Sequence, residues 1–393
     1  MSLIVGAPLV FPRAGAKIEA MLRLCALVVL ASSFQVAADV SDDAALRAAL
    51  SSAKPGDVIK IASGTYRGGV SATLRGDKDR PIVIDAADDK SPPVFEGGGV
   101  GLHLIASKYV TIRNLRFHGA SGNGINIDDG GKRDTPAVGI VIEKIDVQDV
   151  GPRGNCDAIK MSGVREFVVR DCFISGWGGQ AIDLVGCADG VIERCVVRGK
   201  AGFEQATGPQ MKGGTSRVTV RDCFFDHAGE RAINAGGSTG LDYFRPVDAN
   251  YEAKDLTIED CVFVGGQAAV AFVGVDGAVF RHNTIREPQK WVLRILQETR
   301  EERFVRCRNV MFERNLIVYQ RANVGEVANI GPDTQPETFT FKENWWWCAD
   351  APSVRPELPS AERGGVYGRD PKVGAGAKDY GARTAKRAEA SKN

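Results

Sequence analysis

Histidine is scarce in this sequence. Four occur in 393 residues, none in an H-x-x-x-H pair and none beside cysteines at the spacing that zinc requires. The nine cysteines include no C-x-x-C. Net charge is almost nil, with 50 lysines and arginines against 49 aspartates and glutamates, so no overall field points to nucleic acid or a membrane surface. Aromatic residues make up 7% of the chain and do not interleave with basic residues as a nucleic-acid face does. No phosphate-cradling glycine loop or nucleophile elbow is read from it.

Glycine is plentiful at 46 residues, set between short runs rich in valine and isoleucine. That composition favours strands joined by tight turns. From Met21 the segment MLRLCALVVLASSFQVAADV couples Arg23 to an apolar run ending in small residues, too short to span a bilayer comfortably. It reads as an export signal cleaved near Ala38, so residues 1–38 form a leader, with Met21 an alternative start. The expected location is secreted or periplasmic, without membrane contact once the leader is removed.

The phrase TIRNLRF returns as VIEKIDV, VVRDCFI, VIERCVV, TVRDCFF, TIEDCVF, VFRHNTI, MFERNLI and FKENWWW. With Asn114, Lys144, Cys172, Cys195, Cys223, Cys261, Asn283, Asn315 and Asn344 as its marker column, the gaps run from 22 to 38 residues. Recurrence in that range marks a solenoid. Units made of short β-type runs make it an all-β, single parallel β-helix over residues 58–347. Coils stacked every ~4.8 Å let column asparagines bond to one another, and cysteines fill the slot as buried thiols. The run SDDAALRAALSSA predicts a helix near residues 42–52 that closes the N-terminal mouth, within a cap of 39–57. Residues 348–374 read as irregular and 375–393 as disordered. A monomer is expected.

The opening AKPGDVIKIASGTYRG, followed by such coils, resembles the pectate-lyase-like, right-handed parallel β-helix superfamily over residues 40–345. That group holds lyases, hydrolases, epimerases and non-enzymatic adhesins, so the resemblance speaks for fold more than function.

A second phrase recurs as NGINIDD, DAIKMSG, QAIDLVG, GPQMKGG, RAINAGG, AAVAFVG, WVLRILQ and EVANIGP. Apolar residues flank a central one in each, so the central residue points outward. Stacking predicts an outward column of Asn126, Lys160, Asp183, Lys212, Asn234, Ala271, Arg294 and Asn329, with the lysines ~10 Å apart along the axis. Ala158, Ala181, Ala232, Gly214 and Gly236 are expected to form a small-residue floor beside it. The long segments KAGFEQATGPQ and STGLDYFRPVDANYEAK are expected to form walls. A solvated charge ladder is the plainer explanation of the lysines.

Glycoside hydrolysis needs two carboxylates at the scissile bond, and this column has one, with Asp128 and Asp157 offset in turns. Uronate β-elimination instead needs a base at C5 and a cation on the carboxylate. Lys212 suits the base. Arg231, Arg245 or Arg294 suits the neutraliser, with Lys160, Asp183 and Asn126 as substrate contacts. The stretch MKGGTSRVTVRDCFFDHAGERAINAGG resembles the core of the chondroitinase B and alginate lyase family, where a lysine precedes a ladder phrase and an arginine follows on the next coil. Lys212 matches that lysine. The family's arginine position falls on Asn234, with Arg231 displaced by three residues. The resemblance also implies calcium held by acidic and amide groups before the lysine, for which Glu204 and Gln205 are the candidates. The function expected is an exported lyase of an anionic, uronate-containing polysaccharide. A uronate C5-epimerase and a non-catalytic carbohydrate-binding protein are the alternatives.

Overall fold

The alternation of inward and outward residues in each short run forces the chain into three-sided coils. The computed structural model describes residues 35–372 and 379–383. Most of the leader therefore lies outside the described residues, and Gln35–Val40 pairs in parallel with Asp57–Ile61. Three parallel sheets run the length of the solenoid. Sheet A has 12 strands from Gln35–Val40 to Thr340–Lys342, sheet B has 12 from Thr65–Arg67 to Val366–Tyr367, and sheet C has 10 from Val70–Ala72 to Ala328–Ile330. Each coil passes from A to B to C. The expected single right-handed parallel β-helix is the fold.

Inward residues of sheet A, from Ile112 and Ile142 through Val169, Ile192 and Val220 to Phe280 and Phe312, are fully buried. Each such side chain contributes ~1.5–3 kcal/mol. At the corner between sheets A and B, nine successive coils place a residue in the left-handed region: Asn114, Lys144, Asp171, Arg194, Asp222, Asp260, His282, Arg314 and Glu343. The residue after it turns inward. The expected marker column is therefore corrected at its start, where Leu115 and Ile145 fill the inward slot and Asn114 and Lys144 stand one position early. The slot accepts any compact side chain that leaves no polar group unpaired, so its first members are aliphatic.

Its last members are asparagines because they bond along the axis. Asn283 Oδ1 accepts from Cys261 N at 3.0 Å, Asn315 Oδ1 from Asn283 N at 2.9 Å, and Asn344 Oδ1 from Asn315 N at 3.0 Å. Glu362 ends the series, accepting from Asn344 N, Asn344 Nδ2, Trp346 Nε1 and Tyr367 Oη. The column cysteines Cys172, Cys195, Cys223 and Cys261 are buried and free, as expected. Burial pushes the Cys172 and Cys223 thiols well above the ordinary range.

The outward face of sheet A carries one residue per coil in strict alternation of sign: Asp39, Lys60, Asp85, Arg113, Glu143, Arg170, Glu193, Arg221, Glu259, Arg281, Glu313 and Lys342. Close pairs along it include Lys60–Asp85 at 2.7 Å, Arg113–Asp85 at 2.9 Å and Arg281–Glu259 at 2.8 Å.

The capping helix spans Asp43–Ser52. Asp42 Oδ1 accepts from Ala44 N and Ala45 N, and Leu46, Ala49 and Leu50 are buried. At the far end Val366–Tyr367 adds a short strand to sheet B inside the stretch expected to be irregular. Part of the tail expected to be disordered is docked. Tyr380 packs edge-on to Trp345 at 5.3 Å, Gly381 N donates to Arg314 O, and Arg383 forks onto Asp260. The remainder of that tail lies outside the described residues.

Candidate active site

Sheet C presents the outward column, and its register corrects the expected one. Asn126, Lys160, Asp183, Gln210, Asn234, Ala271, Arg294 and Asn329 are successive partners. Lys212 lies opposite Val185, two residues downstream in the neighbouring outward row. The apolar anchors decide this: Met161, Leu184 and Met211 pair inward, and Gly163, Gly186 and Gly213 each follow in the left-handed region. Aligning the two lysines slips one strand by two residues.

Lys212 still reaches the column. Its Nζ donates to Gln210 Oε1 at 3.1 Å and stands 3.4 Å from Asp183 Oδ1. That oxygen accepts no hydrogen bond, so the contact is an ion pair with poor bonding geometry. Lys160 is held differently. Its Nζ donates to Asp157 Oδ2 at 2.7 Å and Asp183 Oδ2 at 2.8 Å, and both carboxylates have no exposed surface. Burial works against the Lys160 charge, but Asp183 and Asp157 together hold its pKa well above the usual lysine range. Burial, then the Asp183 charge, pushes Asp157 up. Lys160 is thus a fixed cation, whereas Lys212 has a single charged neighbour.

Lys160, Asp183 and Lys212 line a cleft of about 590 Å³ together with Asn126, Asp128, Asp129, Thr239, Tyr243 and Arg245. One wall is the expected segment after Cys223. Phe244, Ala249 and Phe304 give it a small core of its own. Arg245 crosses back over Gly163 and Gly186, where a Cβ would collide with its side chain. Its guanidinium pairs with buried Asp129 and donates to Tyr243 O at 2.8 Å. The donors expected to meet substrate are therefore engaged in clamping the wall. Gly214 is needed because a Cβ there would lie 2.6 Å from Arg245 O. Buried Glu252 ties wall to strand, accepting from Gly213 N at 2.8 Å and Thr239 Oγ1 at 2.7 Å.

The other expected site residues lie apart from the cleft. Asn234 is buried, and its Oδ1 accepts from Arg231 Nη1 at 3.0 Å while Arg231 Nη2 meets Glu298 at 3.2 Å. Arg294 stands two coils further on. Ala158, Ala181 and Ala232 point into the core rather than forming an outward floor. Glu204 Oε2 accepts from Gly154 N at 2.9 Å, and the Gln205 amide bonds to Lys200 and Phe203 backbone. Calcium wants six to eight oxygen ligands. This pair does not supply them, and the described residues contain no group of three or more His, Cys, Asp and Glu arranged for a metal.

Sequence reasoning set Asp157 aside as offset in a turn and passed over Asp129, Gln210 and Tyr243, whose places depend on register and on a contact 116 residues apart. It also passed over GGSTG at 236–240, which has the letters of a nucleophile elbow. Ser238 there leads into a loop and the short 3-10 turn Leu241–Tyr243, not an α-helix.

The family model described as right handed beta helix region matches residues 98–241 and 157–290. No curated protein matches the chain in sequence. Among solved structures, an alginate lyase from Paenibacillus sp. str. FPU-7 is 20% identical, covering 76% of this chain and 96% of its own, with a TM-score of 0.51. A rhamnogalacturonan lyase is 14% identical, covering 74% and 80%, with a TM-score of 0.50. A GH136 lacto-N-biosidase from Eubacterium ramulus is 13% identical, covering 84% and 67%, also with a TM-score of 0.50. The chain carries the right-handed parallel β-helix fold. That scaffold hosts both lyases and a glycosidase, so activity must be argued from the cleft.

Proposed function

We propose that this protein is an exported polysaccharide lyase that cleaves a uronate-containing polymer by β-elimination. The supporting observation is the pair of lysines about Asp183, one locked as a cation by two buried carboxylates and one with a single long ion pair. Lys160, which lines the cleft, takes the uronate carboxylate, which acidifies C5–H. Lys212, once neutral, accepts the C5 proton. The electron pair forms the C4–C5 double bond as the C4–O bond breaks, and the leaving oxygen takes a proton. Tyr243 supplies the phenolic hydroxyl on the cleft wall for that step. The leader supports export.

Mixing the purified protein with alginate, pectate and dermatan sulfate should raise ultraviolet absorbance from unsaturated uronate ends on at least one. Flat absorbance on all three rejects the lyase. Altered C5 stereochemistry without new absorbance would identify an epimerase, and retention of polymer without either change a binding protein.

A further inference from the structure

Beyond the cleft, sheet C carries a second built cation. Trp291 and Arg294 share the strand Trp291–Leu296, three strands on from Thr207–Lys212. The Arg294 guanidinium lies 4.3 Å from the Trp291 ring centroid, and its Nε donates to Asn329 Oδ1 at 2.9 Å. Asn329 is held in turn by Glu326 Oε1 at 2.9 Å. Stacking and that bond fix the guanidinium plane. Its Nη1 and Nη2 edge makes no hydrogen bond or ion pair to any described residue. Burial, then repulsion from Arg231, pulls the Arg294 pKa below the ordinary arginine value, against the opposite pull of Glu298, Glu230 and Glu326. Ala268 and Ala271, partners of Trp291 and Arg294 on the preceding strand, offer no side-chain polar atoms between this cluster and Arg231.

We infer that the open edge of Arg294 binds a second carboxylate of the same polymer, several sugars away from the bond being broken. This rests on the lyase reading of the cleft. A planar fork with two adjacent donors matches a carboxylate bidentately, which an ammonium cannot do. The fork lies ~14 Å along the axis from the Lys212 coil, three strand spacings. Lys160 and Arg294 stand in one outward row of the sheet, with Lys212 in the row beside it. A chain with a carboxylate on consecutive sugars can satisfy all of them at once, whereas a neutral chain cannot. The substrate class is a polyuronate bound along its interior, and affinity should grow with length until the chain reaches Arg294.

The test measures binding of short and long fractions of alginate and polygalacturonate oligosaccharides in a Lys212→Met background, which prevents cleavage. The parent should prefer long over short fractions. Arg294→Ala should reduce that preference roughly tenfold, the value of a charged hydrogen bond, and Arg294→Lys should fall between. No length preference in the parent, or the same preference in Arg294→Ala with an unchanged Tm, overturns the inference. The lyase reading is judged separately by absorbance, so Arg294 can fail while polymer is cleaved and can hold where none is.

Discussion

Lys160 Nζ sits 2.7 Å from Asp157 Oδ2, a carboxylate with no exposed surface. Its other partner, Asp183, is equally buried, so this lysine neutralises charge that water cannot reach. Removing one partner of a buried pair leaves the other uncompensated, at about 3–5 kcal/mol. Lys160→Met should therefore lower stability by that order in denaturant unfolding. Adding Asp157→Asn to it should recover a measurable part.

Lys212 carries no such structural duty. Its ion pair with Asp183 is long, at 3.4 Å, and no buried carboxylate depends on it alone. Lys212→Met should abolish turnover of a responsive polysaccharide while leaving Tm nearly unchanged, as expected where no core group is disturbed. Normal turnover by that variant would move the base elsewhere.

His118 links three coils of sheet B, with Nδ1 2.9 Å from Glu96 and Nε2 3.0 Å from Asp149. Asp149 also meets Lys200. The Glu96 hydrogen bond leads in raising the His118 pKa, which burial opposes. Raised above the ordinary value near ~6.5, it contributes stability that is fully present below that value. The contribution is lost as pH rises through the folded pKa. The Tm difference between the parent and His118→Gln should accordingly shrink between mildly acid and alkaline buffers. A gap that widens with pH would contradict the assignment.

Glu362 closes the asparagine column through four hydrogen bonds. Glu362→Ala leaves buried Asn344 donors unpaired, a loss of about 1–3 kcal/mol for each unsatisfied group. Hydrogen exchange should show Phe341–Cys348 losing protection before the central coils do. Uniform loss along the solenoid would refute a local role at this end.

The solenoid was legible because each coil must bury the same face, so Ile142, Val169 and Val220 recur in phase whatever surrounds them. Phase errors arose where a conspicuous polar residue drew the alignment. Asn114 stands one place from the slot that Leu115 fills, and Lys212 stands two from the one that Gln210 fills. Position in a solenoid follows inward methionines and left-handed glycines, not charges. The Arg245–Asp129 clamp was illegible for a different reason: it joins residues 116 apart, and no local pattern encodes such a contact.

The alternating signs on the outer face of sheet A impose a parity rule on this molecule. Loss or duplication of one coil would set arginine against arginine or glutamate against glutamate at the seam, and like charges directly opposite destabilise a strand pair. Excising two neighbouring coils restores opposite signs. The strands Val164–Arg170 and Ala188–Glu193 end in Arg170 and Glu193, and their joint removal would bring Glu143 to face Arg221. Adding or removing coils in doublets thus keeps opposite signs facing each other, whereas a change of one coil does not.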